Sequence, residues 1–163
     1  MKIEHLRKAS VVIAKNDVRF YLCGVMVDGR NTVATDGHRG VHCIDENGEE
    51  GEQVIIPRDT VINFLKATKG QTDYKIEGSY LISDNVAIAF EPINGIFPDY
   101  KRAFLGHKYD GNVNSVAFSP QYLADIYKVF GKEPIVFDFD SNLTPTKIHQ
   151  KKECAMYLMA CRD

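Results

Sequence analysis

The chain has 163 residues, is 44% hydrophobic and 26% charged, and carries a formal net charge of −2. This composition supports a packed core and argues against both a disordered chain and a basic protein that coats nucleic acid over its whole surface. Any contact with DNA must come from lysines and arginines gathered on one face.

The first expected element is a helix over residues 3–15, followed by a strand over 20–27. An Asp28-Gly29 turn, a strand near 31–35, an Asp36-Gly37 turn and a strand over 39–44 come next. Asp-Gly between alternating apolar runs is a strong hairpin signal. The acidic, glycine-rich stretch 46–52 marks a boundary. Residues 54–70 then read as a short strand, Pro57 at a helix start, and a helix closed by Gly70. Residues 116–131 repeat that order, with Ser119 as N-cap, Pro120 in the first turn and Gly131 at the end. The apolar stripes expected on these helices are Val61, Phe64, Leu65 and Thr68 on one, and Leu123, Ile126, Tyr127 and Phe130 on the other. After each helix the period changes to two, with Tyr74, Ile76, Ile82, Val86, Ile88 and Phe90 in one run. Ile135, Phe137 and Phe139 alternate in the same way, as do Met156, Leu158 and Ala160.

The chain thus divides into three similar units of helix followed by antiparallel strands, near 1–52, 53–110 and 111–163. The fold class expected is α+β, with helices in one layer and sheet in the other.

Motifs of catalysis are missing: the sequence contains no GxxxxGK[ST], no GxSxG and no HExxH. His38 and His42 lie four apart, and Asp138 and Asp140 two apart, but neither pair brings a third ligand, so no metal site and no cofactor is assigned. Cys23, Cys43, Cys154 and Cys161 form no CxxC. With a polar N-terminus and no membrane-length apolar run, reduced thiols in a cytoplasmic protein are expected.

YLCGV at 21–25 followed by VATDGHR at 33–39 resembles the middle domain of the DNA sliding-clamp family, the bacterial DNA polymerase III beta subunit. The resemblance continues in order through VIIPR at 54–58, GIFPDYKR at 95–102, VAFSPQYLADI at 116–126, TPTKI at 144–148 and YLM at 157–159. It implies a DNA-clamp fold of repeated half-units, with a clamp domain of two half-units over 1–105 and a third half-unit over 106–163. The chain resembles a shortened member, a middle domain joined to the second half of the last domain by a linker near 106–114.

By this resemblance the chain is no enzyme but a processivity factor. It would encircle duplex DNA as a homo-oligomer, tetramer favoured, because a bacterial ring holds about twelve half-units. The resemblance places the DNA-facing charges on the polar helix faces, at Lys8, Lys15, Arg58, Lys66, Lys69, Lys128 and Lys132. It also implies a pocket that captures a short Gln- and Leu/Phe-rich peptide of a DNA polymerase or other clamp-binding protein. The matching positions are Leu22, Thr35, Gly37, His38, Arg39, Pro98, Tyr157 and Met159. Two departures bear on that pocket: Gly40 stands where the family usually has leucine after DGHR, and the closing tail ends in the charge of Asp163. Both suggest weaker peptide binding, with Gly40→Leu expected to restore a missing apolar wall. The alternative is a ringless decoy or inhibitor, encoded by a phage or mobile element, that occupies clamp partners without encircling DNA.

Overall fold

A computed structural model describes residues 1–109, 111, 113, 115–141 and 143–161. The expectation made for Asp163, and part of the 106–114 linker, lie outside the described residues. Among the described residues three α-helices, α1 (Ile3–Ser10), α2 (Arg58–Ala67) and α3 (Pro120–Phe130), are each followed by three antiparallel strands. These are β1 (Gly24–Val27), β2 (Asn31–Thr35) and β3 (Arg39–Ile44) after α1, and β5 (Lys75–Glu77), β6 (Tyr80–Ser83) and β7 (Val86–Ala89) after α2. The strands β8 (Val136–Asp138), β9 (Thr146–His149) and β10 (Cys154–Leu158) follow α3, while β4 (Val54–Pro57) leads into α2. Mixed helix and antiparallel sheet is therefore the architecture, as the repeated grammar predicts.

The strands form two sheets. One has seven strands in the order β4-β1-β2-β3-β10-β9-β8, and the other has three in the order β5-β6-β7. The first two units exchange their leading segments. Strand β4 pairs with β1, while Lys2 bridges Asp73 at the entrance to β5. The third unit joins the first through the β3–β10 ladder, where Arg39 faces Leu158 and Cys43 faces Cys154.

Both faces of the seven-stranded sheet are covered. Val25, Val27, Ala34, Val41, Met156 and Leu158 face the helices with Ile3, Leu6, Phe64, Ile126 and Phe130. Met26, Val33, Ile55, Ala155 and Tyr157 face the other way, beneath Phe97, Tyr100 and Phe104 of the long connection between β7 and α3. Two-sided cover is why every residue of β1, β2 and β10 is buried. Among the described residues no helix is long and apolar enough to cross a membrane.

Several elements differ from expectation. Helix α1 stops at Ser10 rather than 15, because Val11, Val12 and Ile13 are β-branched and Val12 and Ile13 turn into the core. Residues 20–22 form a 3₁₀ turn instead of strand, so β1 begins at Gly24. A Cβ at Gly24 would lie 2.6 Å from the Ile56 carbonyl oxygen, so only glycine lets β4 approach. In β6 the buried residues are Leu81, paired between Ile76 and Ile88, and Ser83, while Ile82 points to the other face. On α3 the buried stripe is Asp125, Ile126, Val129 and Phe130, leaving Leu123 39% and Tyr127 59% exposed. The helix is turned because Arg39 draws Asp125 inward, as described below. The expectation of four reduced thiols fails for one pair: Cys43 and Cys154 are joined as a disulfide, and Cys23 and Cys161 are free.

Candidate functional site

The Asp36-Gly37 turn between β2 and β3 is built by its own side chains. Asp36 Oδ1 accepts the backbone N–H groups of His38 at 2.9 Å and Arg39 at 3.0 Å. Thr35 Oγ1 accepts the Gly37 N–H at 3.0 Å and donates to the Arg39 carbonyl at 2.8 Å. Gly37 has φ +89°, a left-handed backbone that favours glycine, and the flexible Arg19 guanidinium rests 2.9 Å from where a Cβ would sit. The Met159 N–H donates to the His38 carbonyl at 2.9 Å, which ties the end of β10 to the same turn.

Beside this turn lies a mostly apolar cavity of about 210 Å³. Thr35, Gly37, His38 and Arg39 form one wall, Tyr157, Met159 and Pro145 another, and Pro98, Tyr100, Ala103 and Phe104 a third. Seven of the eight sequence-predicted positions line it; the eighth, Leu22, is buried in the 3₁₀ turn and does not. Burial pushes the Tyr157 phenol up to about 12, so it presents a neutral ring.

Phe104 changes the meaning of Gly40. Its ring stacks on Tyr157 with centroids 4.4 Å apart and planes 5° from parallel. A Cβ at Gly40 would lie 2.1 Å from Phe104 Cζ. The space above Gly40 is therefore filled by an aromatic ring, and the missing wall expected from the sequence does not exist. Phe104 itself is held by Tyr109, whose hydroxyl donates to its carbonyl at 2.8 Å.

Arg39 has little charge to spare for a ligand. Its Nε donates to Asp36 at 2.9 Å, its Nη1 reaches the buried Asp125 of α3, and its guanidinium carbon stands 4.7 Å from the Tyr122 ring centre. Lys128 also donates to Asp125, at 2.5 Å.

A second, more polar cavity of about 580 Å³ adjoins the first across Arg19, His38 and Arg39. It gathers Lys15, Arg58 and Lys128 from the expected DNA-facing set, together with Asp17, Asp36 and Asp125. Lys66 and Lys69 at the end of α2, and Lys132 just past α3, are exposed. Lys8 is mostly covered, paired with Glu4 at 3.0 Å and 6.0 Å from the Phe130 ring centre. Because α1 ends early, Lys15 lies in a loop and not in line with Lys8 on a helix face.

Asp138 pairs with His149 at 2.9 Å and Asp140 with His107 at 3.3 Å. His42 is buried on β3, where its Nε2 donates to Asn31 Oδ1 at 2.8 Å. No group of three or more potential metal ligands occurs among the described residues.

No protein-family model matches the chain. It is 34% identical over 102 residues to the beta sliding clamp of Proteus mirabilis, covering 55% of this chain and 28% of that protein. To the beta sliding clamp of Pseudomonas putida it is 31% identical over 111 residues, covering 60% of this chain and 30% of that one. Among solved structures, Caulobacter crescentus pol III beta superposes with a TM-score of 0.79 at 20% identity, over 99% of this chain and 64% of that chain. The chain is a relative of the bacterial beta sliding clamps. DNA polymerase III subunit beta of Pseudomonas aeruginosa gives a TM-score of 0.74 at 19% identity, over 98% of this chain and 64% of that clamp. The chain thus spans less than a third of the curated clamps it matches in sequence, and about two thirds of the solved clamps it matches in fold.

The lining residues missed in the sequence are Arg19, Tyr100, Ala103, Phe104 and Pro145. Gly40 was itself the available signal for Phe104, since a glycine in the middle of a buried strand marks the close approach of a large neighbour.

Proposed function

We propose that this protein is a non-catalytic, clamp-like tether that works in the cytoplasm as a processivity factor. It takes a short peptide of a DNA polymerase or another clamp-binding protein into the 210 Å³ groove beside the Asp36-Gly37 turn. The observation that carries this reading is the convergence of three walls, from segments far apart in sequence, on one apolar groove in a sliding-clamp fold. Such a groove suits apolar anchors of the Leu/Phe kind, which gain about 25 cal/mol for each Å² removed from water. Duplex DNA is the second partner, met by Lys66, Lys69 and Lys132 and by the basic side of the larger cavity at Lys15, Arg58 and Lys128; Lys8 contributes at most its field. Copies of the chain assemble around DNA, tetramer favoured, through strand edges such as β7 and β8. Each of these has one side without a ladder partner among the described residues.

A second reading keeps the groove and drops the ring: a decoy or inhibitor, encoded by a phage or mobile element, that occupies clamp partners. One observation favours it, namely that all the groove's walls come from a single chain, so capture needs no assembly.

The test is a titration of a fluorescent Gln-Leu-x-Leu-Phe peptide by anisotropy, on the wild type and on Met159→Ala. Saturable binding that weakens about three- to tenfold in Met159→Ala is expected, a loss of roughly 1 kcal/mol for part of one apolar contact. Binding unchanged by Met159→Ala, or none at all, removes the groove from the reading.

A further inference from the structure

We infer that Cys43 and Cys154 form a reversible covalent staple, opened and closed by small-molecule thiols, that locks the third unit of the chain onto the first. The inference is independent of the peptide-binding reading. The two cysteines are 111 residues apart in sequence and directly opposed across β3 and β10, the ladder that makes one seven-stranded sheet from two units. Their position on that ladder favours the bond. The flanking backbone hydrogen bonds run from the Ile44 N–H to the Glu153 carbonyl and from the Met159 N–H to the His38 carbonyl. Alternation along the ladder makes Cys43 and Cys154 a non-hydrogen-bonded pair, the kind in which facing side chains approach most closely.

Access is provided from one side only. Cys43 is fully buried and Cys154 is 6% exposed, and only Cys154 of the two lines the polar cavity of about 140 Å³ formed with Glu4, His5, Lys8, Lys151 and Glu153. A small-molecule thiol such as glutathione approaches the bond from this side; the two lysines of the cavity are balanced by Glu4 and Glu153, Lys8 pairing with Glu4 at 3.0 Å, so access and not charge governs the exchange. The glutathione thiolate attacks Cys154 Sγ, forming a mixed disulfide and releasing Cys43 as a thiolate that takes up a proton. A second thiol attacks the mixed disulfide and frees Cys154. Two electrons pass to the protein, and the two small thiols leave as their own disulfide. Closure is the same exchange reversed, with oxidised glutathione as the oxidant.

The experiment uses the full chain, equilibrated natively with oxidised or with millimolar reduced glutathione, then quenched in acid, digested without reduction and mapped by mass spectrometry. A cross-linked peptide pair containing Cys43 and Cys154 is expected after oxidation, and both free thiols after native reduction. Reduction should also lower the thermal midpoint by about 5–15 °C, the range for losing a long-loop cross-link in a domain of this size. The midpoint of Cys43→Ala/Cys154→Ala should not respond to reductant. Absence of the cross-linked pair after oxidation overturns the inference. So does a bond that survives native reduced glutathione, or a midpoint that responds equally in the wild type and the double variant. Should the double variant not fold, mapping of the wild type alone decides.

Discussion

At the scale of single residues, Gly40 and Phe104 act as one unit. The Phe104 ring lies on Tyr157 and fills the volume a side chain at position 40 would need. Leucine at 40 therefore evicts a buried ring instead of completing a wall. Gly40→Leu should cost about 1–3 kcal/mol of stability, the usual range for overpacking. Gly40→Leu/Phe104→Ala should recover part of that loss, because the removed ring vacates the space. Urea denaturation of the single and double variants measures the coupling, and additive costs would show that the two positions do not share one space. His42 makes a different residue-scale prediction. Burial holds its imidazole neutral, with the pKa pushed down to about 4 from the ordinary 6.5. As pH falls from 6.5 towards 4, the unfolded chain binds a proton that the native chain refuses, so stability is full above 6.5 and declines through that window. The loss is on the order of 3 kcal/mol by the time pH reaches 4, and burial of His5 acts in the same direction. Denaturant midpoints at pH 7 and pH 5 should differ in the wild type, and the difference should shrink in His42→Gln.

At the scale of elements, the contact to watch is that between the Asp36-Gly37 turn and α3. Arg39 reaches from the start of β3 to Asp125, 86 positions later, and stands over Tyr122 of the same helix. Asp125 is buried, so removing its partner strands a carboxylate in a poor solvent. Arg39→Ala should destabilise by about 3 kcal/mol, toward the low end for a broken buried pair because Lys128 still reaches Asp125. The checks are a lowered urea midpoint and faster hydrogen exchange in α3 than in α2. This contact also explains the rotation of α3 relative to its apolar pattern. Burying Asp125 with Ile126 and Val129 moves Leu123 and Tyr127 to the rim of the helix layer. The sequence reading of α1 erred for a related reason, since its apolar run continues through Ile13 but leaves the helix to enter the core.

At the scale of the whole molecule, the arrangement of sheets bears on assembly. The seven-stranded sheet ends at β8 and the three-stranded sheet at β7, each presenting backbone donors and acceptors at its edge. If copies pair through these edges, light scattering at micromolar concentration should give a multiple of the 18.4 kDa chain, with four copies favoured. A stable monomer would remove the ring and leave the decoy reading. Association with duplex DNA by such an assembly should fall steeply with salt, and charge reversal at Lys66 and Lys69 should weaken it without altering the circular dichroism spectrum.

Much of this molecule is legible in the sequence because it is local. The Asp28-Gly29 and Asp36-Gly37 turns, the strand-and-helix alternation and the threefold repetition each depend on residues a few positions apart, where φ preference and side-chain period act directly. The turn from Thr35 to Arg39 is shaped by its own hydrogen bonds and is legible for that reason, whereas its membership of a pocket came only from the resemblance to the clamp family. What the tertiary structure alone decided is how distant segments meet. The β3–β10 register sets Cys43 against Cys154, the long connection lays Phe104 over Gly40, and the turning of α3 delivers Asp125 to Arg39. Each of these depends on the registration of segments more than sixty residues apart, set by the packing of both sheet faces at once, and no periodicity within a single segment encodes it.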